Sequence, residues 1–341
     1  MVHLRIIAPT YDCENVLDLL EETPSVTNVV FLPGAARKPE GNLILCDVAR
    51  EDASVIIGDL KELNIHRDGS ISIEEIDSQI SDGAERAERA AAGAPSDAVV
   101  WEEVESRTSE NTELSASFIA FMVLAMLIAS AGIILDETIL VIGAMIVGPE
   151  FGPLAGLCVA VTQRRRDVAK RSLLALAAGF PAGILAAFLF SLIVKGTGLG
   201  PESFTLQNHP FTQFISQPDA FSFIVACFAG VAGVLSLTST KSGALIGVLI
   251  SVTTIPAAAN IGLAAAYGDW DVCLGAAEQL ALNLSAIILA GVATLYLQRL
   301  LYVRRRRAHL DDHARELAGL PRGHSRHKQR RVPGAAESER S

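Results

Sequence analysis

Long runs of apolar residues fill the middle of the chain, each near the roughly 20 residues that a helix needs to cross a bilayer. Six spans are predicted, at residues 116–135, 138–161, 172–194, 221–237, 243–266 and 272–297. Before residue 78, apolar residues alternate over short stretches, which is typical of strands and amphipathic helices. The pattern therefore predicts a multi-pass α-helical membrane domain preceded by a smaller domain of mixed strands and helices.

Two of the predicted spans are interrupted by residues that disfavour helix. The second span contains Gly148, Pro149, Glu150, Gly152 and Pro153, and the fifth contains Thr253, Thr254, Pro256 and Asn260. Proline has no amide hydrogen and disfavours helical geometry in the residue before it, so we expect about one turn to unwind. Freed backbone groups persist in a membrane only where they face protein or a cavity. Broken spans indicate a solute or ion site near the bilayer midplane.

The two interrupted spans also occupy corresponding places in a repeat. Aligning Ile142 with Ile246 gives an offset of 104 residues, and the same offset aligns Asp167 with Asp271. Each repeat then holds three spans. Because three is odd, the second copy enters the membrane inverted, which predicts two inverted three-helix repeats. The alternative is chance similarity among helices rich in Gly, Ala and Ile.

Charge divides the chain in a way that fits this topology. Residues 1–116 hold 24 acids and 9 bases, whereas residues 117–298 hold only 9 acids and 7 bases. Bases cluster at 164–171 and 304–307, which predicts a cell-membrane protein, inner or plasma, with both termini in the cytoplasm. We expect no cleavable signal, because the first apolar stretch is short. The lipid bilayer is the predicted partner, and topology explains the basic tail without nucleic acid.

The amino-terminal part predicts a β-α-β-β-α-β order. The strands are expected at residues 4–8, 26–32, 42–48 and 70–76, and the helices at 14–22 and 52–63. That order is typical of a ferredoxin-like α+β domain, here residues 1–77. Such modules often bind ligands or each other, so regulation and assembly as a homo-oligomer both stay open.

The remaining segments flank the membrane domain. Residues 78–115 read as an acidic connector in which Trp101 either anchors an interfacial helix or lies on a helix packed against the cytoplasmic domain. The membrane domain covers residues 116–298. Residues 299–341 are predicted to be a basic, largely disordered cytoplasmic tail.

A motif in the second span carries a family resemblance. The sequence from Gly143 to Pro149, its Gly-Pro-Leu continuation and the arginine-rich turn that follows resemble the uncharacterised bacterial hydrophobic-domain family known as domain of unknown function 389. The likeness covers roughly residues 116–300. The second repeat departs from the motif, with Val248 and Leu249 in place of Ala and Met and no acid matching Glu150. The resemblance implies a multi-pass membrane protein and supplies no activity.

Glu150 is the main chemical candidate. Counted from Thr138 at about 1.5 Å per residue, it lies roughly 18 Å deep in a core about 30 Å thick. A charge at that depth is costly unless it is protonated, hydrated or paired. Glu150 is therefore interpreted as a proton carrier or cation ligand, for H⁺ or Na⁺. The alternative is a neutral side chain that bonds the partner repeat and holds the broken helix.

Several neutral polar residues share the predicted depth. Thr253 and Thr254 can complete a coordination shell or bond their own helix. Asn260 lies two turns further along and can line the same path. Gln279 and Asn283 are spaced i and i+4 on one face of the sixth span, an arrangement that serves as interhelical glue more often than as a binding site.

The inventory of catalytic residues argues against an enzyme. All seven histidines lie outside the predicted spans, and the sequence has no phosphate-binding loop or dinucleotide fingerprint. No cofactor or metal site is predicted. The pattern favours a membrane transporter or channel for a small solute or cation, with the site at the broken second and fifth spans. The alternative function is a membrane-embedded sensor or scaffold whose cytoplasmic domain binds a ligand or partner.

Overall fold

The structure is a computed structural model that describes residues 1–76, 78–91, 98–200, 215, 219–239, 253–310 and 313–320. Contacts divide the chain into two compact units. The first comprises Met1–Pro95 and Leu300–Ser341, and the second comprises Ser96–Arg299.

The first unit is built on a four-stranded antiparallel sheet. Its strands are β1 (Val2–Ala8), β2 (Val26–Arg37), β3 (Glu40–Val48) and β4 (Ser70–Glu75), in the spatial order β2-β3-β1-β4. Leu4 of β1 pairs with Cys46 of β3 and with Ile73 of β4. Alternate residues of β1 are buried, as expected for a sheet covered on one face.

Helices follow the strands in the predicted order. They are α1 (Cys13–Glu21), α2 (Arg50–Glu62), a short α3 (Ile65–Asp68) that was not predicted, and α4 (Asp82–Ala90). Val16 and Leu20 on α1, and Ile56 and Leu60 on α2, are fully buried. The side chain of Ser81 caps α4 by accepting hydrogen bonds from the backbone amides of Gly83 and Ala84.

Apolar helices form the second unit. They are α5 (Trp101–Asn111), α6 (Ala116–Ile134), α7 (Thr138–Val147), α8 (Phe151–Gln163), α9 (Arg166–Thr197), α10 (Ala220–Thr238), α11 (Thr254–Tyr267) and α12 (Trp270–His309), whose last residues belong to the first unit. Within the described residues, α6, α9, α10 and α12 are long and apolar enough to cross a membrane. The pair α7 and α8, bent by 52°, makes a possible fifth span. Residues 243–252 of the predicted fifth span lie outside the described part, and α11 is its described remainder.

The first predicted break is about one turn long, as expected, but it does not include Gly152 and Pro153. Only residues 148–150 leave the helix, whereas Gly152 and Pro153 lie in the first turn of α8. The first turn of a helix has no internal partners for its amides, so the missing amide of Pro153 costs little there. Pro256 takes the same third position in α11. Both helices therefore begin just before a tolerated proline.

Helix α5 packs within the second unit and contacts α8 and α10. Glu105 on α5 forms an ion pair with Arg165. Trp101 and Val104 are buried, and the methyl group of Thr112 would lie 2.3 Å from a Cβ atom placed on Gly156 of α8. The apolar face of α5 therefore finds partners within the second unit.

The first part of the tail, which was predicted to be largely disordered, is helical. Residues 300–309 continue α12, and His313–Leu317 forms the short helix α13. The cause is an ionic cluster on α2, where the fully buried Asp59 pairs with Arg306, His309 and Arg315. Opposite charges desolvated together hold the segment against the sheet unit. Residues 321–341 lie outside the described part.

Candidate functional site

The site begins where α7 ends and α8 has not yet started. Glu150 lies in this break and is only 3% exposed. One carboxylate oxygen, Oε1, accepts a hydrogen bond of 2.8 Å from the hydroxyl of Thr254, the first residue of α11. A single buried contact thus joins the two interrupted regions that the sequence singled out.

Gly148 makes room for the acidic side chain. A Cβ atom placed on Gly148 would lie 2.4 Å from Oε2 of Glu150 and 2.6 Å from Cγ1 of Ile255. The carboxyl group therefore folds back over the glycine, with apolar carbon of Ile255 beside it. Pro149 separates the two residues and leaves no amide to continue the helix.

A second set of hydrogen bonds connects α11 to α12. Gln279 donates from Nε2 to Oδ1 of Asn283 over 3.2 Å, and Asn283 donates from Nδ2 to the hydroxyl oxygen of Thr253 over 2.8 Å. Thr253 and Thr254 are neighbours, so the start of α11 holds both the carboxyl group and this amide chain. Gln279 and Asn283 are each 2% exposed.

Three buried oxygen atoms at these residues make no hydrogen bond within the described part of the chain. They are Oε2 of Glu150, Oε1 of Gln279 and Oδ1 of Asn260. All three are acceptors, and buried acceptors without partners are uncommon in folded proteins. Asn260, although buried on α11, takes no part in the hydrogen bonds that join the other residues. These three acceptor oxygens have no donor among the described residues, and such atoms are suited to bind a cation or a proton.

The sequence alone did not identify Ile255 as part of the site. It is fully buried and apolar, and such residues carry no chemical signal of their own. The contact between Glu150 and Thr254 could have been found from the sequence, because the two residues are 104 positions apart and that is the offset of the predicted repeat. Equivalent residues of a two-fold repeat touch only where the axis passes between them.

The apolar helices and the buried polar break define the class, a multi-pass helical membrane protein. Residues 145–289 match the family described as Domain of unknown function (DUF389), which confirms the resemblance found in the motif.

One relative is similar over more than half of the chain. Over 196 residues the chain is 29% identical to an uncharacterized protein of Methanocaldococcus jannaschii. The match covers 56% of this chain and 58% of that protein's length. No solved structure is significantly similar. Neither the family description nor the name of the relative specifies an activity.

Proposed function

We propose that this protein is a transporter or channel for a small solute or cation in the cell membrane, with both termini in the cytoplasm. The observation that carries the proposal is the hydrogen bond between Glu150 and Thr254, buried at a helix break. An acid buried among apolar membrane helices is costly, and such residues commonly belong to an ion or substrate path. We propose no enzymatic activity and no cofactor.

Matching helices support the inverted repeat. Helices α6 and α10 both have 19 residues, and their first residues are 104 positions apart. Ser115 caps α6 by accepting from the amide of Phe118, and Asp219 caps α10 by accepting from the amide of Ser222, again at the same offset. Helices α9 and α12 begin 104 positions apart as well. Chance similarity of composition does not reproduce cap positions.

Contacts inside each repeat correspond too. Gly183 on α9 approaches Met126 on α6, with 2.2 Å between the sulfur atom and a Cβ placed on the glycine. In the second repeat, Ile287 on α12 approaches Gly230 on α10, with 3.0 Å between its Cα and a Cβ placed there. Adding 104 to Met126 gives Gly230, and adding 104 to Gly183 gives Ile287. The glycine therefore lies on the last helix of the first repeat and on the first helix of the second.

Contacts between the repeats are reciprocal. A Cβ placed on Gly262 of α11 would lie 3.0 Å from Cβ of Ala187 on α9, and one placed on Gly291 of α12 would lie 3.6 Å from Cβ of Cys158 on α8. Adding the offset to Cys158 and Ala187 gives Gly262 and Gly291. Such exchange of partners is what a two-fold axis produces. With three spans in each repeat, and residues 243–266 as the fifth of six, the second copy is inverted.

For the amino-terminal unit we propose a ferredoxin-like domain that regulates or assembles the membrane part, as a homo-oligomer in the second case. Its strand order and antiparallel pairing support the fold. The alternative function, a membrane-embedded sensor or scaffold, draws support from the cluster at Asp59, where the carboxyl-terminal part of α12 is held by α2.

Two-sided accessibility tests the transport proposal without knowledge of the solute. Asn283→Cys in sealed proteoliposomes is treated with a membrane-impermeant maleimide from either side. The native Cys13 and Cys46 are buried, and burial raises the pKa of the Cys46 thiol to about 12, so both should react little.

A transporter that alternates between two open states is expected to be labelled from both sides. In parallel, entry of ²²Na⁺ and of protons is followed under an imposed potential, with Glu150→Gln as the comparison. A cysteine at residue 283 that is unreactive from both sides, together with no ion entry, would reject transport and leave the sensor or scaffold role.

A further inference from the structure

The surroundings of Glu150 distinguish the kinds of cation that the site could take. Oε1 of Glu150 already accepts the hydroxyl proton of Thr254. Oε2 lies over Gly148 in a space that it shares with Cγ1 and Cδ1 of Ile255. The carboxylate oxygen without a hydrogen-bond partner among the described residues therefore lies in a region that aliphatic carbon also occupies.

Divalent metal cations usually need more carboxylate ligands than the described residues of this site offer. Hard cations such as Mg²⁺ and Ca²⁺ take about six to eight oxygen ligands, usually with several carboxylates or carbonyls. The described residues contain no group of three carboxylate, imidazole or thiol side chains that could hold a metal. Glu150 contributes the one carboxylate, and its second oxygen is packed against an aliphatic side chain. A proton needs only that oxygen.

No charge balances an ionised Glu150 in the described part of the chain. Ionisable side chains on the packed helices have other partners: Cys158 on α8 approaches the carbonyl of Ile288, and Cys273 on α12 approaches the carbonyl of Ile261. The charged residues of α9 lie at its two ends, where Asp167 pairs with Arg165 and Lys195 donates to the carbonyl of Ala266. Glu278 on α12 is exposed, and α6, α7 and α11 carry no Asp, Glu, Lys, Arg or His. An unpaired charge in this closed environment is strongly disfavoured.

From this geometry we infer that the cation exchanged at the site is a proton, carried on Oε2 of Glu150. The inference rests on the proposed transport function and names its coupling or transported ion. In the closed arrangement the carboxyl group is neutral, and Thr254 fixes its orientation. On release, the O–H bond at Oε2 breaks and the proton passes to water, which requires α11 and the α7–α8 break to separate and admit solvent. Rebinding takes a proton from water on the other side.

Thr254 is thus a positioning residue, and the amide chain of Gln279 and Asn283 holds Thr253 beside it. Thr254→Val keeps the shape of the side chain and removes the hydroxyl donor. It should leave the proton-binding oxygen in place while changing the hydrogen bond at the carbonyl oxygen of the acid. That change is visible as a shift of the carboxylic C=O vibration, which a merely structural threonine would not produce.

Infrared difference spectroscopy on the full-length protein in lipid vesicles measures the proton directly. Spectra are taken between alkaline and acidic buffer, with either Na⁺ or N-methylglucamine as the only added cation. We expect a protonated-carboxyl band that titrates, is lost in Glu150→Gln, shifts to higher frequency in Thr254→Val, and does not depend on Na⁺. Glu278→Gln, which alters an exposed acid on α12, should keep the band.

Two results would overturn the inference. Suppression of the band by Na⁺ would show that a metal cation competes for the same oxygen. A band that is unchanged in Glu150→Gln, or one that does not titrate over the range in which the protein stays folded, would show that Glu150 does not exchange a proton. Transport itself is judged by the two-sided labelling of Asn283→Cys, so a site that is labelled from both sides but shows no such band rejects only the proton.

Discussion

Replacing Gly148 by alanine tests whether the acid at the helix break occupies the position described. The added methyl group would lie 2.4 Å from Oε2 of Glu150 and 2.6 Å from Cγ1 of Ile255, well inside van der Waals contact. Gly148 has a φ of −64°, which alanine adopts freely, so backbone strain makes no contribution. Any effect therefore comes from packing. Gly143, on the helix α7 that precedes the break, has nothing within 4 Å of its added methyl and serves as the control.

The two substitutions should change the free energy of unfolding in opposite directions. Gly143→Ala fills open space in a helix interior, where alanine is favoured over glycine by up to about 1 kcal/mol. Gly148→Ala overpacks a closed site, which typically costs about 1–3 kcal/mol. Displacement of the carboxyl group also breaks its bond with Thr254 and leaves a buried donor unpaired, at a further cost of about 1–3 kcal/mol. We expect Gly148→Ala to lower the free energy of unfolding by at least about 2 kcal/mol relative to Gly143→Ala.

Equilibrium unfolding in mixed micelles of a mild detergent and dodecyl sulfate provides the comparison, with helix content followed by circular dichroism. The double variant Gly148→Ala/Glu150→Ala gives a second control, because removal of the carboxyl group should recover part of the loss. Equal stability of Gly148→Ala and Gly143→Ala would refute the reasoning, since it would mean that the carboxyl group does not fill the space above Gly148. Equal destabilisation of the single and double variants would assign the cost to Ile255 alone.

Three further predictions concern the rest of the molecule. Gly291→Cys should form a disulfide with Cys158 under mild oxidation, because their Cβ atoms would be 3.6 Å apart, and thiol counting by mass would detect a failure. Asp59→Asn should expose the end of α12 to trypsin, because removing one partner of the buried pair with Arg315 costs about 3–5 kcal/mol. That cost raises the population of locally unfolded chain at least ~100-fold, so an unchanged cleavage rate would contradict the prediction. Deletion of residues 1–96 should leave the membrane helices inserted but abolish oligomer formation or a response to cytoplasmic ligand, and both roles fail if neither property changes.

Local features of the fold could be predicted from the sequence because they depend on neighbouring residues. The break after Val147 follows from Gly148-Pro149, since proline lacks the amide that would continue the helix. The strands of the first unit follow from alternation, and their ends shift by only a few residues except in β2, which extends to Arg37. The helical state of Gly152 and Pro153 could not be predicted, because the effect of a proline depends on its place in the next helix.

Contacts between distant segments could not be predicted in this way. Nothing near Asp59 in the sequence indicates that Arg306 and Arg315 will bury it, because the partners are more than 240 residues away. The basic tail was explained adequately by topology, so its charges carried no further signal. Glu150 and Thr254 were both recognised as candidates, yet their direct contact depends on a symmetry that periodicity within one segment does not contain.

That symmetry gives a physical reason for the one acid in the motif. On the proposed two-fold axis, residue 150 and its equivalent at 254 face each other at hydrogen-bonding distance. Two carboxylates in those positions would repel, and one would have to stay protonated at all times. A hydroxyl group in the second repeat avoids the repulsion and supplies a donor instead. The proposed axis therefore accounts for the departure of the second repeat from the Gly-Pro-Glu pattern, because two equivalent residues that contact each other across it cannot both be ionised acids.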